Sequence, residues 1–304
     1  MVANPHNLLL SVLSGDVLER VRRLELFSRL RVEGARHGDN ASPLRGFSTD
    51  FMQHRAYCAG DNLRYLDWRI LAKTDRLFVR EYEEHTNAEM IVLVDLSGSM
   101  RFHGETAFSK YEYAVRCAGI LLYLMLQQRD TFSLYFFGDT LTPVVRRGGN
   151  ARHLGLAFDA LVRGEPRGAT RFDDGVRLLE AMVRRRGLVI VLSDFMDDPP
   201  LIARSLARLR RRRHDLIALQ LYDPRETSLP FVDFTRFRDL EDGSLTGVDP
   251  QLVRREYERQ FVLHQSQMKE ACFAQGIDHT LLPVSDSYDT AIGEYLRHRA
   301  ALLL

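Results

Sequence analysis

From about residue 88 onward, short apolar runs alternate with segments in which apolar residues recur every three or four positions. The first pattern predicts strands buried on both faces, the second amphipathic helices laid over them. Strands are expected at 91–95, 131–137, 143–146, 188–193, 216–222 and 277–282. The first helix face is carried by Tyr111, Ala114, Val115, Ala118, Leu122 and Met125, at i, i+3, i+4, i+7 spacing. Further helices are expected at 150–162, at 173–185, from Pro199 or Pro200 to the arginine run at 210–213, at 249–275 and at 288–298; proline is favoured in a first helical turn. This alternation predicts an α/β fold with a mostly parallel sheet and helices on both faces.

Two stretches break the rhythm. Residues 1–87 form an N-terminal extension of mixed structure. Val17, Val21, Leu24, Phe27 and Leu30 predict a helix over 17–32 behind an Asp16 cap, and strand-like runs such as 77–82 follow among Gly-Asp-Asn turns. Within the α/β region of 88–304, an irregular insertion at about 223–249 contains Phe231 to Phe237, whose period of two predicts an edge strand.

The chemistry gathers at the ends of the predicted strands. The run 90–94 is wholly apolar and leads into Asp95-Leu96-Ser97-Gly98-Ser99, so three oxygen-bearing side chains leave the strand's C-terminal end, where open α/β sheets bind ligands. Thr170 and Asp194 fall at the same predicted edge. Asp95, Ser97, Ser99, Thr170 and Asp194 together make the donor set of a metal-ion-dependent adhesion site. Hydroxyls and carboxylates suit a hard ion such as Mg²⁺, with Mn²⁺ or Ca²⁺ as alternatives, and leave it open to a carboxylate donated by a partner protein. Gly98, Met100, Phe195 and Asp197 are candidates for the face beside it. Taken singly, Ser97, Ser99 and Thr170 would be read as helix caps and Asp194 as a turn residue.

A Mg²⁺-dependent phosphatase using Asp95 as nucleophile is the enzymatic alternative. It requires an acid two residues on, where this chain has Ser97. Neither Gly-x-Ser-x-Gly nor Gly-x-x-x-x-Gly-Lys occurs at the strand ends. A structural scaffold with an inactive site is the third possibility.

A formal net charge of +1 gives no bulk attraction to nucleic acid, and the runs Arg184 to Arg186 and Arg210 to Arg213 sit at predicted helix C-termini, where cations oppose the dipole. Cys58, Cys117 and Cys272 lack the spacing of a disulfide framework or thiolate zinc site. The longest apolar stretch, 118–126, is too short to span a membrane. A cytoplasmic location is expected.

The Asp-x-Ser-x-Ser strand, Thr170 and Ser193-Asp194 resemble the von Willebrand factor A domain. Ser42 to Gly46, Arg55-Ala56-Tyr57, Gly60 to Trp68, Val79 to Tyr82, Asp223 to Glu226 and Asp239 to Gly243 are similar to the signature blocks of the bacterial family called domain of unknown function 58. The resemblance implies a von Willebrand A-like, Rossmann-type sheet and a non-enzymatic, metal-dependent protein-binding module. It also implies an adaptor or co-chaperone role beside a MoxR-type AAA+ ATPase. For the N-terminal block, Asp61, Arg64, Asp67 and Arg80 are expected to form an ion-paired network anchored by Trp68.

Overall fold

The structure, a computed structural model, describes residues 13–21, 24, 49–57, 67–74, 76–84 and 89–303. The chain divides into two compact units, residues 31–87 and residues 1–30 with 88–304.

In the smaller unit, strand β1 (Thr49–Ala56) pairs antiparallel with β2 (Phe78–Glu84), with a register shift between Phe51 and Gln53. Between them helix α2 (Trp68–Thr74) starts at Asp67, whose Oδ1 accepts from the Ile70 N–H at 3.3 Å. Trp68 is 62% exposed, so it is not the buried anchor expected of it. Asp61 and Arg64 lie outside the described residues, as does Cys58.

The larger unit is built on a six-stranded sheet. Its strands are β3 (Glu89–Asp95), β4 (Thr131–Phe137), β5 (Leu141–Gly148), β6 (Gly187–Ser193), β7 (Asp215–Tyr222) and β10 (Asp278–Pro283). They lie in the order β10-β7-β6-β3-β4-β5, all parallel except β5, which runs antiparallel on the edge beside β4. Successive residues point to opposite faces and both faces are covered, which is why the central strands are apolar throughout. Met90, Val92 and Val94 of β3 enter one hydrophobic core, Ile91 and Leu93 the other.

Over the first face lie α3 (Lys110–Gln127), α4 (Ala151–Arg163) and α9 (Tyr288–Leu303). Ser109 and Glu112 close a capping box at the start of α3 and so fix where that helix begins. The short helix α1 (Gly15–Val21) also belongs to this layer, with Leu13 and Val17 buried in its core. Sequence placed that helix in the extension; it packs with the larger unit instead. Of the expected helix over 17–32, most of the part beyond Val21 lies outside the described residues.

The second face is covered by α5 (Phe172–Met182), α6 (Pro199–Arg211) and α8 (Pro250–Ala274). Helix α5 stops three residues short of the expected end, at the Val183 cap, so exposed Arg184 to Arg186 lie in the loop before β6. Between β7 and α8 comes a one-turn helix, α7 (Pro224–Ser228), and a hairpin of β8 (Thr235–Arg238) and β9 (Leu245–Val248). The period of two over 231–237 predicted an edge strand. Only its last residues are strand, and they pair with β9 alone as a separate two-stranded sheet. Alternation records a half-exposed ribbon but does not name its partner.

Candidate functional site

The sheet changes winding direction at β3, whose successor β4 lies on one side and β6 on the other. Loops leaving β3 and β6 therefore diverge at their C-terminal ends and open a crevice, the usual ligand position in such sheets. Asp95 ends β3 and Asp194 follows the last residue of β6.

Asp95 is 1% exposed, and both of its carboxylate oxygens are engaged. Oδ1 accepts from the Ser97 N–H at 2.8 Å and lies 3.5 Å from Thr170 Oγ1, while Oδ2 accepts from Ser193 Oγ at 2.6 Å. Ser97 Oγ and Ser99 Oγ are 3.0 Å apart. These hydroxyls are not helix caps: Ser97 precedes the 3₁₀ turn Gly98–Arg101 without a side-chain capping bond, and the residue capping α5 is Arg171 rather than Thr170. Four of the five predicted donors thus form one connected set.

Backbone bonds hold the loops in register. Gly98 N–H donates to Gly168 O at 2.8 Å, Arg167 N–H to Leu96 O at 2.7 Å and Arg171 N–H to Gly138 O at 2.9 Å. Gly168 has φ +69°, the left-handed region that favours glycine, in the loop that brings Thr170 to Asp95.

Asp194 is buried and held from two sides. Its Oδ2 accepts from Lys110 Nζ at 2.7 Å and its backbone carbonyl from Gln220 Nε2 at 3.0 Å. Lys110, 1% exposed, also reaches Glu226 Oε1 at 2.6 Å. Glu226 is placed by the capping box of α7, and Asp223 in that box accepts from Gly104 N–H and Thr106 Oγ1. Burial works against the Lys110 ammonium, but the carboxylates of Asp194 and Glu226 outweigh it and hold the pKa above its ordinary value. Burial, followed by repulsion from Asp194, pushes the Asp95 carboxyl up to about 7 against the bonds from Ser193 and Ser97. Lys110 offsets the charge of Asp194, and a cation in the crevice would relieve the remaining repulsion on Asp95.

Asp95, Thr170, Asp194, Asp197 and Glu241 line a cavity of about 280 Å³, with Phe172 and Ile202 among its apolar walls. Glu241 comes from the β8–β9 turn. Its carboxyl is raised by burial first and then by Asp194 and the nearby Asp239, Asp197 and Asp139. Among the described residues no three His, Cys, Asp or Glu side chains group as a metal site. The donor set here is of a different kind, two carboxylates with Ser97, Ser99 and Thr170 hydroxyls, and it fits a hard divalent ion that keeps some of its water.

The predicted face beside the site is redistributed. Met100 is fully buried in the first core, and Phe195, 2% exposed at φ 51°, packs edge-on to Phe172 as part of the cavity floor. Gly98 is covered by the β8–β9 turn, whose Leu240 carbonyl would lie 2.0 Å from an added Cβ. Asp197 is exposed and lines the cavity. Sequence reasoning missed Lys110 and gave no role at the site to Ser193, Glu226 and Glu241, although these three stand in motifs that it singled out. The one signal for Lys110 is that it is one of three lysines in a chain that otherwise uses arginine.

A sequence model of the family described as "Protein of unknown function DUF58" matches residues 53–267. Uncharacterized proteins Rv1480 of Mycobacterium tuberculosis and Mb1516 of Mycobacterium bovis are each 29% identical over 267 residues, covering 84% of this chain and 83% of theirs. Among solved structures, the conserved hypothetical protein BatB from Bacteroides thetaiotaomicron shares 14% identity at a TM-score of 0.47, over 70% of this chain and 99% of its own. An aerotolerance-related membrane protein from Bacteroides fragilis gives 14% and 0.46, over 69% and 99%. Among the described residues no helix is long and apolar enough to cross a membrane.

Proposed function

This chain belongs to the DUF58 family, and we propose that it is a non-enzymatic, divalent-metal-dependent protein-binding module with a von Willebrand A-like, Rossmann-type domain. The observation that carries this reading is the convergence of Asp95, Thr170 and Asp194 at one cavity, where the sheet reverses its winding, with Ser97 bonded to Asp95 through its N–H and to Ser99 through its hydroxyl. Those residues would hold Mg²⁺ or a similar ion, and the ion would supply an electrophilic point for a partner's carboxylate. The chain's own part is to orient the donors: Ser193 fixes Asp95, and Lys110 holds one oxygen of Asp194.

Binding rather than catalysis is favoured by the position two residues after Asp95. Ser97 pairs with Ser99 there and is no general acid near neutral pH. The partner class we propose is a MoxR-type AAA+ ATPase, with the module acting as its adaptor, in the cytoplasm. A binding assay between the purified chain and such an ATPase from the same genome, in Mg²⁺ and in EDTA, tests this. Association lost in EDTA and in Asp95→Ala supports the reading. Association indifferent to both refutes metal dependence, and none under any condition refutes the partner.

A further inference from the structure

The β8–β9 turn is wound tightly and set down on the candidate site. Asp239 Oδ1 accepts from the Glu241 N–H at 2.7 Å and the Asp242 N–H at 3.3 Å, and Gly243 N–H closes onto Asp239 O at 3.1 Å. The turn's backbone meets the metal loop at Gly98, where an added Cβ would stand 2.0 Å from Leu240 O and 3.0 Å from Glu241 Cα. No other residue type leaves room for that approach. Leu240 is therefore docked by backbone on the loop that carries Ser97 and Ser99, and Glu241 lines the same cavity as Asp95, Thr170 and Asp194. It is half-buried, whereas Asp242 beside it is exposed.

We propose that Glu241 is the site's own acidic ligand: when the ion is bound, this hairpin carboxylate takes the place that a partner's carboxylate would occupy, so that a partner must displace it. The proposal rests on the metal-dependent reading above and adds its regulation. A carboxylate tethered at the cavity wall competes at an effective concentration on the order of millimolar, which a weakly acidic surface cannot match and a well-fitted partner can. Asp197, also acidic and also lining the cavity, is exposed; its Oδ1 accepts from the Asp198 N–H at 2.7 Å and its backbone carbonyl lies 3.1 Å from His264 Nε2. Insertion 223–249 thus reaches the site twice, with Glu226 acting on Asp194 through Lys110 and Glu241 lining the cavity.

The test uses Mn²⁺ as the probe on the full chain, measuring its affinity and the water-proton relaxation of the bound ion, which counts coordinated waters. Glu241→Ala is expected to admit one more water and to weaken Mn²⁺ binding about tenfold. Glu241→Gln, which keeps the side chain's shape, should weaken it in the same direction. Asp242→Asn removes an exposed charge from the same turn, outside the cavity lining, and should leave the water count unchanged. If wild-type Mn²⁺ binding is lost in Asp95→Ala while Glu241→Ala keeps the wild-type water count, Glu241 is not a ligand and the metal site stands without it. If the wild type binds no Mn²⁺, or Asp95→Ala binds it equally well, the metal reading falls and takes this proposal with it.

Discussion

Single residues decide how charge is tolerated in this crevice. Lys110 is enclosed with Asp194 and Glu226, and removing it leaves two buried carboxylates facing each other. Lys110→Met is expected to destabilise the larger unit by about 3–5 kcal/mol, measured by urea unfolding, because an unpaired buried charge costs more than the intact pair contributes. His279 behaves oppositely. Its Nε2 lies 2.9 Å from Gln220 Oε1, and burial lowers its pKa to about 4. The unfolded chain therefore binds a proton below about pH 6.5 that the folded chain refuses until about pH 4. The contribution of His279 is intact above that window and is lost across it, by up to about 3 kcal/mol, read as the difference between the wild type and His279→Gln. Urea unfolding at pH 7 and pH 5 reads this slope, and His279→Gln should flatten it; an unchanged slope would mean that another group titrates.

Elements show how far sequence carries. Strands β3, β6 and β7 were legible because burial on both faces leaves only apolar residues, and the ends of β3 and β6 then gave Asp95 and Asp194. What stayed hidden depends on contacts between segments distant in sequence. Lys110 meets Asp194 across 84 positions and Glu226 across 116, separations that no local period encodes. Met100 was misplaced because adjacency to a site residue says nothing about which way a side chain turns, and it turns into the first core, whereas Phe195, though buried, does line the cavity. Strand β8 was legible only as the end of an alternating run over 231–237; its partner β9 and the seat of their turn on Gly98 were not. Gly98→Ala forces the Leu240 carbonyl away and should cost about 1–3 kcal/mol, with faster amide exchange confined to residues 239–244. Unaltered exchange there would mean that the turn does not sit on Gly98 in solution.

At the scale of the larger unit, the two cores carry most of the cohesion, and a buried ionic cluster fixes how the last helix closes the sheet. Arg299 of α9 reaches Asp215 at the start of β7 and, at 2.6 Å, Asp278 at the start of β10, where Tyr295 also donates to Asp278 at 2.7 Å. Cutting that connection with Arg299→Ala should cost about 3–5 kcal/mol in urea unfolding, far from the crevice, and leave ion binding unchanged. The separation follows from the architecture, since this cluster sits at the N-terminal ends of the strands and the crevice at their C-terminal ends.

The most direct measurement is thermal unfolding of the wild type and Asp95→Ala, in EDTA and in Mg²⁺ or Mn²⁺. With the ion at about 100 times its dissociation constant, binding adds about 2.7 kcal/mol, or roughly 5–10 °C for a unit of this size. The account predicts that rise in the wild type and its loss in Asp95→Ala. An equal rise in both proteins, or none in the wild type, would contradict it.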